Sequence, residues 1–252
     1  MFLKSLKDAM SALFQKSNSS EIVEREEEPM VVKDTYLPLF HVFSDILPDS
    51  PYTYQEIHEA WEQRLIAVES EVIIPDYVAD YLCRDAIVLS ILRIFRETKG
   101  WNCKTLEELK PLVGENPPES SEIYSTIRMC DPYCSTGQFL QAALNQLIEI
   151  KAELGIWVDD AEQIVNPFHS DNPANERLIL LEKQKFIKNS LFGADIRPEH
   201  VALCRMRLLL EQLKHIDVLC KKGGEWSSPV DCNVIYGDSL YYHIPIDSND
   251  LR

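Results

Sequence analysis

The sequence predicts an α/β fold in which a helical N-terminal region leads into part of an open parallel sheet. Three observations carry this expectation. Glycine is scarce, 8 of 252 residues, and about 3% against a usual ~7% leaves too few turn residues for hairpins or an all-β sandwich. With 45% hydrophobic and 26% charged residues, the chain can bury a core and divides into two domains at most. From residue 121 onward, short apolar segments that end in aspartate alternate with helical periodicity, as strands and crossover helices do in a parallel sheet.

Residues 1–16 read as an amphipathic helix, with Leu3, Leu6, Met10 and Leu13 three and four apart and the lysines off that stripe. Residues 17–35, with Glu21, Glu24, Glu26, Glu27 and Glu28, read as an acidic linker. Residues 36–120 form the helical N-terminal region. One helix is expected over 54–68 and a longer one over 76–98, the latter turning Val78, Leu82, Ala86, Leu89, Leu92 and Phe95 to one face. Asp76 follows Pro75 as a cap or first-turn acid, and Thr105 with Glu108 three residues later forms a capping box. The run G-E-N-P-P-E-S-S at 114–121 reads as a breaker cluster and domain boundary.

Residues 121–252 repeat strand, turn and helix. A strand over 127–130 ends at Asp131, and a small-residue turn opens a helix over 137–154 that Gly155 stops. A second strand over 191–196 delivers Asp195, and Pro198 sits in the first turn of a helix reaching about Lys214. A third strand over 233–236 ends at Gly237 and Asp238. In such sheets ligands gather at the carboxyl ends of the strands.

Composition excludes several classes. The formal charge of −16, from 41 acidic and 25 basic residues, repels phosphate, so the chain alone is expected to bind nucleic acid poorly. No apolar run reaches the roughly 18 residues of a membrane span, and no secretory signal pattern opens the chain, so a cytoplasmic location is expected. Seven cysteines without a C-x-x-C pair suit reduced, mostly buried thiols. His58-Glu59 begins an H-E-x-x-H pattern that fails at Glu62, so no metal site is expected.

The segment Asp131-Pro132-Tyr133-Cys134-Ser135-Thr136-Gly137-Gln138-Phe139-Leu140 resembles the S-adenosylmethionine-binding motif of adenine-N6 DNA methyltransferases from restriction-modification systems, usually D-P-A-C-G-S-G-x-F-L. L-F-G-A-D-I-R-P-E at 191–199 is similar to the family's second-strand motif, and N-V-I-Y-G-D-S-L at 233–240 to its third. The likeness covers about residues 70–243 and implies an incomplete methyltransferase-like Rossmann sheet over 121–252. By position, Asp131, Pro132, Tyr133, Cys134, Ser135 and Gly137 would cradle the methionine moiety of S-adenosyl-L-methionine, with Asp131 near its ammonium. Asp195 would accept from the ribose hydroxyls, Ile196 would flank the adenine, and Asp238 would face the adenine amino group.

The departures are as informative. Ser135 stands where the family has glycine, adding a Cβ where the backbone should approach the ligand and opposing a positive φ. Val72-Ile73-Ile74-Pro75 retains only the proline of an earlier aromatic motif. The catalytic Asn/Asp-Pro-Pro-aromatic motif, which holds the flipped adenine, is missing; Asn116-Pro117-Pro118-Glu119 and Asn166-Pro167-Phe168 read as loop breakers. No catalytic residue is therefore assigned. The expectation is the cofactor-binding part of such an enzyme, truncated and unable to methylate DNA alone. The alternative is a non-catalytic remnant or interaction subunit. The strand ending at Asp131 would lie at a sheet edge, its partner being the missing catalytic and target-recognition half or a second copy. DNA would be met only through that partner.

Overall fold

The computed structural model describes residues 54–68, 74–159, 161–169, 172–225, 227 and 229–239. The expected helix at 1–16, the acidic linker at 17–35 and the residues Val72 and Ile73 lie outside these. Helix α1 (Tyr54–Val68) buries Ile57, Ala60 and Trp61. Helix α2 (Asp76–Lys99) opens at Pro75, with Asp76 in its first turn, and ends at Gly100 in the left-handed region at φ 73°.

The face that α2 buries differs from the expected one. Ala79, Cys83, Ile87, Ile91, Leu92 and Phe95 are buried, whereas Leu82 is 49% and Leu89 69% exposed. The helix carries two apolar stripes. The one headed by the small residues Ala79 and Cys83 packs against a neighbouring helix, close enough for the Cys83 Sγ to donate to the Phe139 carbonyl at 3.4 Å.

Helix α3 (Leu106–Val113) has the expected cap. Thr105 Oγ1 accepts from the Glu108 N–H at 3.3 Å, while the Glu108 carboxylate accepts from the Lys104 N–H at 2.7 Å, one residue before the cap. The breaker cluster proves to be helix α4 (Pro117–Tyr124). Asn116 is its N-cap, and Pro117 occupies the first turn, where a missing N–H leaves no hydrogen bond unmade. Tyr124, buried at its end, donates to the Leu147 carbonyl at 2.8 Å.

Strand β1 (Met129–Asp131) leads into helix α5 (Gln138–Leu154), which Gly155 ends at φ 71°. Helix α6 (Pro173–Asn189) is capped by Asn172, whose side chain accepts from the Asn175 N–H at 2.8 Å. Strand β2 (Leu191–Asp195), helix α7 (Pro198–Lys222) and strand β3 (Asn233–Tyr236) complete the series. Helix α7 runs two turns past the expected Lys214, since Ile216 and Leu219 continue its buried stripe to Gly223.

The sheet is parallel in the order β1-β2-β3, with Met129 opposite Leu191 and Phe192 opposite Asn233. An α/β fold with a small three-stranded parallel sheet is therefore present. Every residue of β2 is buried, as befits a central strand, whereas β1 at the end of the sheet is partly exposed. One buried cluster runs from Ala79 on α2 to Val234 on β3 and spans residue 120 without interruption. A second joins α1 to the other side of α7 through Leu203, Leu210 and Leu213.

Candidate ligand site at the carboxyl ends of the strands

The turn after β1 is held from three directions. Asp131 Oδ1 accepts from the Tyr133 N–H at 3.1 Å, bending the chain out of the strand. The Cys134 N–H donates to the Ala194 carbonyl at 2.9 Å, which clamps the turn to β2. Arg207 on α7 donates through Nε to the Thr136 carbonyl at 2.9 Å and through a terminal nitrogen to Gln141 at 2.8 Å, while its guanidinium lies 4.8 Å from the centre of the Trp61 ring. Gly137, at φ 88°, opens α5. A Cβ there would sit 2.6 Å from Cys204 Sγ, so α5 starts against α7 at a distance that only glycine permits.

Ser135 takes the conformation its side chain was expected to oppose. It adopts φ 47°, in the left-handed region. Two contacts stabilise it there. Its N–H donates to Asp195 Oδ2 at 3.0 Å, and its hydroxyl lies 3.0 Å from His200 Nδ1. Asp195 in turn is 3% exposed, its Oδ1 accepting from the Arg197 N–H at 2.8 Å, with His200 Nδ1 3.8 Å from Oδ2. Both carboxylate oxygens thus serve the protein's own backbone. The three side chains do not form a nucleophilic triad, because Ser135 and Asp195 approach the same imidazole nitrogen rather than opposite ones.

Asp131 is half-buried. Burial raises its carboxyl above the usual range, the Tyr133 N–H opposes that shift, and the Asp195 charge adds to it. The Cys204 thiol is held protonated first by its hydrogen bond with Cys134 and then by burial, so Cys204 packs rather than reacts. Among the described residues no group of three or more His, Cys, Asp or Glu is arranged to hold a metal ion.

The fold brings most of the sequence-selected residues together. Asp131, Pro132, Tyr133, Cys134, Ser135 and Gly137 form one turn, and Asp195 and Ile196 end the neighbouring strand. The Gly237 N–H donates to the Asp195 carbonyl at 3.0 Å, drawing the segment that carries Asp238 to the same end of the sheet. Tyr133 and Ile196 present their side chains to solvent, whereas Cys134 is buried. The segment before α2 also reaches the site, since Gln138 Nε2 donates to the Ile74 carbonyl at 2.6 Å and to Asp76 at 2.7 Å.

Sequence reasoning missed His200, Arg207 and the exposed Tyr236 at the end of β3. His200 had a signal, because a residue five positions past a strand-end aspartate, beyond a helix-opening proline, falls on the first helical turn facing that acid. Arg207 had none in its own segment; only packing against the turn reveals it. The arrangement offers carboxylates, backbone amides and flanking apolar side chains to a ligand with hydroxyl or ammonium groups. Its one hydroxyl–imidazole contact, Ser135 with His200, has Asp195 on the same ring nitrogen rather than on the opposite one that a triad uses.

No protein-family model matches the chain. Over 179 residues it is 28% identical to a protein of Methanocaldococcus jannaschii named "Putative type II restriction enzyme and methyltransferase". The match covers 66% of this chain and 14% of that relative's length, so the chain corresponds to a small part of a much longer protein. It supports a relationship to restriction-modification methyltransferases. Among the described residues no helix is long and apolar enough to cross a membrane.

Proposed function

We propose that this chain is the S-adenosylmethionine-binding portion of a restriction-modification DNA methyltransferase of the adenine-N6 kind. The observation that carries the reading is the joining of two motifs 60 residues apart: the turn after β1 is hydrogen-bonded through Ser135 to the carboxylate that ends β2. A half-buried acid, a turn opening on Gly137 and a second strand-end acid are the parts that a nucleoside carrying an amino-acid group requires. The 28% identity to the methanogen protein supports the same reading.

The residues fit that cofactor unevenly. Asp131 is positioned to hold an ammonium, and the exposed Ile196 to lie against an adenine. Asp238, just past β3, would meet the adenine amino group. Asp195 fits only after rearrangement, because its carboxylate is 3% exposed and the Ser135 turn, bonded to Oδ2, covers it. When bound, S-adenosylmethionine supplies the methyl group for transfer. This chain's residues bind and orient it, and no group that holds a target adenine is assigned among them.

The enclosed state of Asp195 favours the second reading, a non-catalytic interaction subunit that keeps the fold. Calorimetry with S-adenosylmethionine separates the two. Binding by the wild type is expected, and Asp195→Ala should weaken it by about 1.5–3 kcal/mol, the worth of a hydrogen bond to a charged group. No heat at millimolar cofactor from a folded chain would overturn the first reading.

A further inference from the structure

The turn after β1 is gripped from behind by a chain of polar side chains on α5, α6 and α7. Arg207 Nε donates to the Thr136 carbonyl at 2.9 Å, drawing that oxygen toward α7. The other end of the same peptide unit, the Gly137 N–H, donates to the Cys134 carbonyl at 2.8 Å and closes the turn. Because a peptide unit is planar, the contact at the oxygen also aims the N–H. The setting of the Arg207 guanidinium is therefore the setting of the turn.

That guanidinium is itself steered. Gln141, one helical turn past Gly137 on α5, accepts from an Arg207 terminal nitrogen at 2.8 Å and donates through Nε2 to Glu211 Oε1 at 2.6 Å. Glu211 Oε2 accepts from Lys183 of α6 at 2.6 Å. Lys183 and Arg207 are each 7% exposed. Burial alone would raise the Glu211 carboxyl, yet the Lys183 charge and the hydrogen bonds from Lys183 and Gln141 bring it below its ordinary value. The Gln141 amide thus has one permitted orientation, with its NH2 toward a carboxylate and its oxygen toward a guanidinium. A flipped amide would meet both charges with the wrong end of its dipole.

We propose that Gln141 is a positioning residue of the ligand turn: it transmits the polarity of the Lys183–Glu211 ion pair to Arg207 and so fixes the Thr136–Gly137 peptide. The inference rests on the proposed function for the identity of the ligand, and on geometry alone for the turn. A buried ion pair gains little over apolar side chains of like volume. What this pair adds is direction, since an apolar residue at 211 would leave the Gln141 amide free to turn. Helix packing alone needs no such relay. Lys151 of α5 donates to Glu182 of α6 at 2.6 Å, joining those helices through a pair in which neither Gln141 nor Arg207 takes part.

The test uses the full chain, S-adenosylmethionine as the probe, and amide exchange at Gly137 as a readout that needs no ligand. Gln141→Met keeps the length of the side chain and removes its dipole. It should weaken cofactor binding by about two- to thirtyfold, the range for residues that act on a site through a neighbour, and should speed exchange at Gly137. Glu182→Gln, in the other pair, should lower the melting temperature and leave both readouts unchanged. Gln141→Glu supplies a signature that a mere strut lacks, and it serves equally where Gln141→Met does not fold. The new carboxyl would face Glu211, Arg207 and Lys214 on α7 and Lys183 on α6. Protonated, it donates to Glu211 and accepts from Arg207 as the amide does; ionised, it repels Glu211 and breaks the relay. Its affinity relative to wild type should therefore be near one in acid and fall as pH rises from about 5 to about 8. A constant ratio across that range, or wild-type exchange at Gly137 in Gln141→Met, would overturn the proposal. So would an equal loss of affinity in Glu182→Gln, which would assign the effect to packing. A wild type that binds no cofactor, with Gly137 exchanging faster in Gln141→Met than in Glu182→Gln, would reject the function and leave Gln141 assigned.

Discussion

Replacing Gly137 by alanine probes the junction on which the ligand turn depends. Two costs are separable there. At φ 88° an L side chain is strained, by ~1–2 kcal/mol. The added Cβ would also stand 2.6 Å from Cys204 Sγ and 3.1 Å from its Cα, an overpacking that typically costs ~1–3 kcal/mol. The expected loss is therefore about 2–5 kcal/mol, or roughly 5–15 °C in melting temperature for a domain of this size. Gly155→Ala isolates the first cost, since that residue has φ 71° and nothing within 4 Å of a built Cβ. Cys204→Ala isolates part of the second by removing the nearest atom. Urea unfolding of the four chains of the Gly137→Ala, Cys204→Ala cycle should give a coupling of about 1–2 kcal/mol. Additive costs, or a Gly137→Ala loss no larger than that of Gly155→Ala, would refute the idea that α5 and α7 meet through this glycine.

Two further substitutions address the site. Ser135→Gly removes the Cβ, the strained φ and the bond to His200 together, while the backbone N–H to Asp195 stays, and should tighten S-adenosylmethionine binding in calorimetry; unchanged affinity would mean that the Ser135 side chain is not what limits binding. Asp131→Asn should leave the unliganded chain at least as stable as wild type at neutral pH in urea unfolding. The carboxyl is raised in the fold, so its ionisation disfavours the folded state above that range, and the advantage of asparagine should fade as acid protonates Asp131; destabilisation at pH 7 would reverse the assigned sign.

The parts of the fold that local chemistry dictates are legible in the sequence. Thr105 and Glu108 announce a helix start because both halves of that cap lie within four residues. The three strand-end aspartates are legible too, since a strand, a turn and a helix follow one another along the chain. Expectation and structure part where the deciding partner is distant. The run at 114–121 reads as a breaker because Asn-Pro-Pro ends a preceding helix as readily as it opens a following one, and only the docking of Tyr124 beneath α5 shows which. The orientation of α2 cannot be read from one stripe when the helix has two, and the choice is made by α5. Likewise the side chain of Ser135 argues against positive φ, and the contacts that overcome it come from Asp195 and His200, 60 and 65 residues away.

Arg207 gives the site a lever arm. Because one guanidinium grips the turn at Thr136 and lies over Trp61 on α1, peeling α1 from the body loosens the same residue that fixes the turn. Any ligand that stiffens the turn must then raise the free energy of releasing α1, and by reciprocity whatever seizes or frees α1 changes the affinity of the site. The helix at the described N-terminal edge is thus thermodynamically a remote wall of the binding cleft.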